Sequence, residues 1–136
     1  MKFLFFSLLF ITLYSSVFGQ KKSKVIENKI HIVIESKEDY DVAKGRTVTE
    51  GYNVFDRNGN LIEERKYDKY GRETEKIFYE YDSDNHKIKE TSQKPNGTIN
   101  KIEEYKFKNG LKVEKITYYG NGKIKSRKKY NYTFYE

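Results

Sequence analysis

The sequence predicts an all-β protein: an antiparallel meander of 12–14-residue strand-turn repeats, folded as a single-layer or partly curled sheet. Three observations carry this expectation. First, four Asn-Gly pairs, Asn58-Gly59, Asn96-Gly97, Asn109-Gly110 and Asn121-Gly122, interrupt runs rich in Tyr, Phe, Ile, Val, Lys and Glu. Asn-Gly in that setting signals a hairpin, because a type I′ turn needs positive φ at both central residues. Second, Lys69-Tyr70-Gly71 and Asp84-Asn85 fill the gap between Gly59 and Gly97, and Asn can take the left-handed role of Gly. The turn residues then fall at 59, 71, 85, 97, 110 and 122, in steps of 12, 14, 12, 13 and 12, a spacing that points to a repeat. Third, the intervening segments alternate. Ile77, Tyr79 and Tyr81 share one face of their strand, as do Tyr105 and Phe107, and Leu111, Val113 and Tyr119. The opposite faces carry mainly Lys, Glu, Thr and Asp, with Ile62, Phe78, Ile102, Ile116 and Tyr118 as exceptions.

Composition suits a thin sheet. The 136 residues are enough for one domain, and hydrophobic content is low at 36% against 35% charged. A chain this charged invites disorder. The 13 Tyr, 9 Phe and regular turns argue against it; aromatic rings packed on the aliphatic stems of Lys and Glu can hold a sheet without a thick core. With no Cys there is neither a disulfide framework nor a thiolate metal site. The net charge of +7, or +6 once Lys2 is lost with a leader, is spread along the chain. Its densest stretch is Lys123, Lys125, Arg127, Lys128 and Lys129, a solvated strand face or a contact for an anionic surface or polymer.

Taken in order, residues 1–19 read as a secretory signal peptide. Lys2 supplies the positive start, Phe3 to Leu13 the apolar stretch, and Val17 and Gly19 the small residues for cleavage before Gln20. The run is shorter than the roughly 20 apolar residues of a permanent membrane helix. Residues 20–28 are polar and expected to be mobile. Lys29–Glu35 alternates as a strand in which His31 reads as a polar strand residue. Tyr40-Asp41 followed by Gly45 resembles a degenerate first repeat, and Arg46–Glu50 reads as a strand, all within a β-repeat domain over 29–136 whose clear copies span 52–130. Pro95 belongs at a strand end, where no ladder donor is missed. Tyr130–Tyr135 reads as a last strand.

Three copies are cleanest: Phe55-Asp56 before Gly59, Tyr67-Asp68 before Gly71, and Tyr81-Asp82 before Asn85. The aromatic ends a strand and the Asp caps the turn through its side chain. These copies resemble the YD repeats of Rhs-type secreted bacterial proteins. Tyr118-Tyr119-Gly120-Asn121-Gly122-Lys123-Ile124-Lys125 is similar to the MORN-like repeat of an antitoxin family. Both resemblances imply β-hairpin repeats. The shell that large Rhs proteins build around a toxin does not carry over to so short a chain. The leader ending in Phe18-Gly19-Gln20 is similar to those of exported Bacteroidetes proteins, which implies a Gram-negative host.

No phosphate loop, nucleophile elbow, zinc pair or Rossmann glycine pattern is present. Asp82-Ser83-Asp84-Asn85 begins like a calcium loop but has Lys87 and Gln93 where that loop needs Gly and Glu. The sequence therefore predicts no catalytic residue, no metal and no cofactor. The expected function is a non-enzymatic, exported binding protein of the cell envelope or extracellular space, with a protein or envelope glycan or polymer as partner. Tyr67, Tyr79, Tyr81, Tyr105 and Tyr119 form its candidate surface, since Tyr rings stack on sugars and anchor protein interfaces at low entropy cost. A strand-adding partner at a sheet edge is equally consistent. The alternatives are an immunity-like protein that binds one cognate effector and a hydrolase, which would need a cleft with two converging carboxylates. Nucleic-acid binding fits the charge but conflicts with export.

Overall fold

The computed structural model describes residues 21–136. The expected leader and its cleavage point between Gly19 and Gln20 lie outside the described residues. A short helix, α1 (Lys22–Glu27), precedes eight strands: β1 (Ile32–Asp39), β2 (Arg46–Phe55), β3 (Leu61–Tyr67), β4 (Glu73–Tyr81), β5 (Lys87–Gln93), β6 (Ile99–Lys108), β7 (Leu111–Tyr119) and β8 (Ile124–Lys129). Every strand pairs antiparallel with its neighbours in sequence, giving one open sheet with β1 and β8 at its edges. The expected meander is the fold.

The turns depart from the type I′ expectation at all but one Asn-Gly pair. Asn109 (φ 51°) and Gly110 (φ 74°) make a two-residue turn between paired Lys108 and Leu111. At the other three pairs only the glycine has positive φ. The chain there closes three-residue loops in which a type I turn is followed by a left-handed residue and a bulge. In the Asp-containing copies, the Gly59, Gly71 and Asn85 N–H groups donate to the carbonyls of Asp56, Asp68 and Asp82 at 3.0, 2.9 and 3.0 Å. Each Asp Oδ1 also accepts two further N–H groups: Asn58 and Asn60, Tyr70 and Arg72, Asp84 and His86. The carboxylate thus satisfies turn amides that the ladder leaves over. At Asn96-Gly97 and Asn121-Gly122 the Asn side chain does this instead, accepting from Thr98 and Lys123 at 3.0 and 3.1 Å. The register shifts beside each loop follow from the extra residue.

The N-terminal part differs most from expectation. Within 20–28, expected to be mobile, Lys22–Glu27 is helical although Lys21 makes no capping side-chain bond. Packing stabilises it: Val25 is 1% exposed, and Lys22 Nζ donates to Asn60 Oδ1 at 2.5 Å. The first strand starts at Ile32 and runs to Asp39, not from Lys29 to Glu35. Asp39, not Asp41, caps the next loop, with Oδ1 accepting from Val42 and Ala43 at 2.6 and 2.8 Å. The last strand ends at Lys129; Tyr130–Tyr135 lies beyond it because only Tyr130 N–H, bonded to the Val113 carbonyl at 3.0 Å, continues the pairing.

A single sheet has two open faces, so its core is thin. Ile77 and Tyr105 are buried on one face. Val54 and Ile116 are buried on the other, since Ile116 pairs with Glu104, the neighbour of Tyr105.

Candidate functional site

Four of the five candidate tyrosines share a face. Tyr79 pairs with Glu90 and Glu90 with Glu103, which places Tyr105, two residues on, on the same side; Tyr119 joins them opposite Lys101. Tyr81 follows Tyr79 by strand period. Tyr67 does not join. It shares a face with Arg65, which pairs with Lys76, and Lys76 points away from Tyr79 along β4. Its ring sits instead among Tyr52, Glu63, Arg65 and Glu73.

The face is a lattice of rings, ammonium groups and carboxylates. Lys87 Nζ lies 5.0 Å from the Tyr79 ring centre and 5.4 Å from that of Tyr105. Lys112 and Lys115 stand 4.7 and 5.6 Å from the Tyr105 ring, within reach of cation–π attraction. Hydroxyls and carboxylates are engaged with one another. Tyr79 donates to Glu64 at 2.6 Å, Tyr81 to the Leu61 carbonyl at 2.8 Å, and Tyr105 to Glu103 at 2.8 Å. Burial, then the hydrogen bond to a carboxylate, pushes Tyr79 and Tyr105 far above the usual phenol range; burial likewise raises Tyr81. These phenols remain protonated donors at any physiological pH. Burial opposes ionisation of Glu103, but bonds from Lys115, Tyr105 and Lys101 outweigh it and hold its carboxyl at about 2. Tyr105 is 8% exposed, whereas Tyr119 is 50% exposed and its ring lies 5.5 Å from Lys125 Nζ.

That pair leads to the basic edge. Every residue of β8 is exposed. Lys128 pairs opposite Lys115, like charges facing each other. Beyond β8, Tyr132 donates to the Lys112 carbonyl at 2.6 Å, and Phe134 and Tyr135 are exposed. The sequence offers the basic cluster and Tyr119 as separate features; the β7–β8 pairing and the Tyr119–Lys125 contact bring them to one edge.

Asp82, Asp84 and His86 place three possible ligand atoms within 4.8 Å of one another. Asp82 is already committed: Oδ1 accepts two amides and Oδ2 pairs with His86 Nδ1 at 3.0 Å, while the His86 ring stacks on Phe107 at 4.5 Å. The cluster holds a turn. The grouping that sequence reasoning missed is under α1, where Val25, Ile30, Phe55 and Ile62 converge; no periodicity links a six-residue helix to two distant strands.

No protein-family model and no curated protein matches the chain. Among solved structures, a chain of the GtfA/B complex bound to UDP and GlcNAc is similar, with a TM-score of 0.39 and 19% identity over 73% of this chain and 20% of that one. The present chain thus spans about a fifth of that protein's length.

Proposed function

We propose that this is a non-enzymatic, exported β-repeat protein that binds an anionic macromolecule of the cell envelope or extracellular space through its β8 edge. The observation that carries the reading is that edge itself. Among the described residues no strand pairs with its outer side, the strand is cationic at Lys125, Arg127, Lys128 and Lys129, the half-exposed Tyr119 ring lies near Lys125, and Phe134 and Tyr135, in the chain beyond the strand, are exposed. An unpaired edge accepts an added strand, ammonium groups attract an anionic polymer, and aromatic rings stack on sugars or anchor a protein. The leader pattern in residues 1–19 supports export, and the likeness to YD and MORN-like repeats supports an interaction role.

The test has two parts. N-terminal sequencing of the protein from the periplasm or medium of its native host should begin at Gln20; retention in the cytoplasm with Met1 intact would sink the export reading. The purified protein should also bind isolated envelope polymer or a secreted protein in a salt-sensitive manner, and a Lys125→Glu, Lys128→Glu, Lys129→Glu variant should lose that binding. One dominant stoichiometric protein partner would specialise the reading to a cognate-effector binder. Undiminished binding by the triple variant would move the interface away from β8.

A further inference from the structure

The helix α1 packs on the β2–β3 turn through Val25 and Ile26 and leaves a hollow beside that contact. The hollow, between α1, the chain entering β1 and the β2–β3 turn, measures about 760 Å³, inside the ~300–1,000 Å³ span of small-molecule sites. Its lining is largely apolar. Val25 and Phe55 are buried, Ile30 and Ile62 partly so.

The charge around it is predominantly positive, two cations against one carboxylate. Lys29, His31 and Arg57 also line the hollow and are exposed, which places them on its solvent side. Among the described residues neither Lys29 nor Arg57 pairs with a carboxylate. Asp56 lines the hollow too, and its carboxylate is turned onto its own loop: Oδ1 accepts the Asn58 and Asn60 amides, and Oδ2 accepts Asn60 Nδ2 at 3.0 Å.

Lys29 and Arg57 are carried by constrained backbone. Lys29 follows the helix at φ 52°, and its N–H donates to the Ile26 carbonyl at 3.1 Å. Glycine is the usual occupant of a left-handed position after a helix, and a non-glycine residue held there is strained. Arg57 belongs to the turn closed by the Gly59 amide and the Asp56 carboxylate. His31 donates from Nδ1 to the Phe55 carbonyl at 2.9 Å, which fixes the ring and leaves Nε2 for another partner.

We propose that this hollow binds a small anionic amphiphile, a molecule with an aliphatic chain for the apolar wall and a carboxylate-like head for Lys29 and Arg57. An apolar wall alone would accept any hydrophobe; the excess of cations over the one carboxylate selects the sign of the head. A cationic amphiphile would have to place its head among like charges. This goes beyond the macromolecular reading of the β8 edge and does not depend on it, because the two surfaces lie on opposite ends of the strand order.

The experiment titrates the purified full chain with dodecanoate below its micelle concentration, followed by calorimetry and by methyl and amide chemical shifts. Dodecyltrimethylammonium supplies the same chain with the opposite head. The expected result is saturable one-to-one binding of dodecanoate, shifts centred on Val25, Ile30, Phe55 and Ile62, and at least tenfold weaker binding of the cationic probe. Lys29→Glu with Arg57→Glu should weaken dodecanoate binding tenfold or more with an unchanged circular dichroism spectrum. Equal binding of both heads would overturn the proposal. So would several probes per chain, shifts centred on Tyr130–Tyr135, or no binding at all. The head-group contrast is read on the unaltered protein, so the result stands even if the double variant misfolds.

Discussion

Glu90 and Glu103 face each other directly across the β5–β6 ladder. Two carboxylates opposite one another on a sheet repel. The fold offsets this with three ammonium groups: Lys87 on Glu90 at 2.8 Å, and Lys115 and Lys101 on Glu103 at 2.9 and 3.2 Å. Because Glu103 is 8% exposed, its contacts are poorly screened. Lys115→Met should therefore cost about 1–3 kcal/mol, the range for stranding a buried charged partner, and should raise the Glu103 pKa. A denaturant midpoint near that of the unaltered protein would refute this.

The same pair predicts a pH dependence. Glu103 has a folded-state pKa of about 2, below its ordinary value. A depressed carboxylate contributes stability that is fully present above its unfolded pKa and is lost as pH falls through the folded one. The protein should lose stability progressively from about pH 5 toward pH 2. In Glu103→Gln that part of the acid loss should be missing. Chemical denaturation at several pH values reads the difference, and parallel curves for the two proteins would contradict it.

The turns allow a graded comparison among glycines. Gly59, Gly97 and Gly122 all adopt left-handed φ, so Ala at any of them costs about 1–2 kcal/mol of backbone strain. A Cβ at Gly97 meets nothing within 4 Å, whereas one at Gly59 would lie 2.8 Å from Ile26 Cγ1. Gly59→Ala should thus exceed Gly97→Ala and should loosen α1, visible as faster amide exchange at Val25. Gly97→Asn should be nearly neutral, since Asn85 already takes this role at φ 62°. Equal losses at 59 and 97 would show that α1 contributes little.

Much of this was legible in advance for a physical reason. A left-handed residue is costly for most side chains, so every tight reversal leaves Gly or Asn behind, and the positions of the turns follow. The kind of turn was not legible: Asn-Gly serves a two-residue loop at 109–110 and three-residue loops elsewhere. That difference decides side-chain faces. The bulge beside Tyr67 puts its extra residue, Thr74, on β4 and leaves β3 alternating, so the face of Tyr67 is set by the β3–β4 register, Arg65 opposite Lys76, which period-two counting within one strand does not give. Similarly, α1 has no capping signal and forms because Val25 is buried by distant residues, which no local pattern encodes.

The β8 edge yields the last prediction. Lys128 is paired opposite Lys115, while Lys115 is already committed to Glu103 on its other side. Facing like charges destabilise a ladder, and opposite charges contribute roughly 0.2–1 kcal/mol. Lys128→Glu should stabilise the isolated protein by up to about 1 kcal/mol, seen as a higher denaturant midpoint with the same slope. The substitution also inverts one charge on the edge proposed to meet an anionic macromolecule. The variant should therefore fold better and bind less well, a divergence that a purely structural role for β8 does not produce. Weaker folding together with weaker binding would trace any binding loss to a damaged sheet and would count against the edge as an interface.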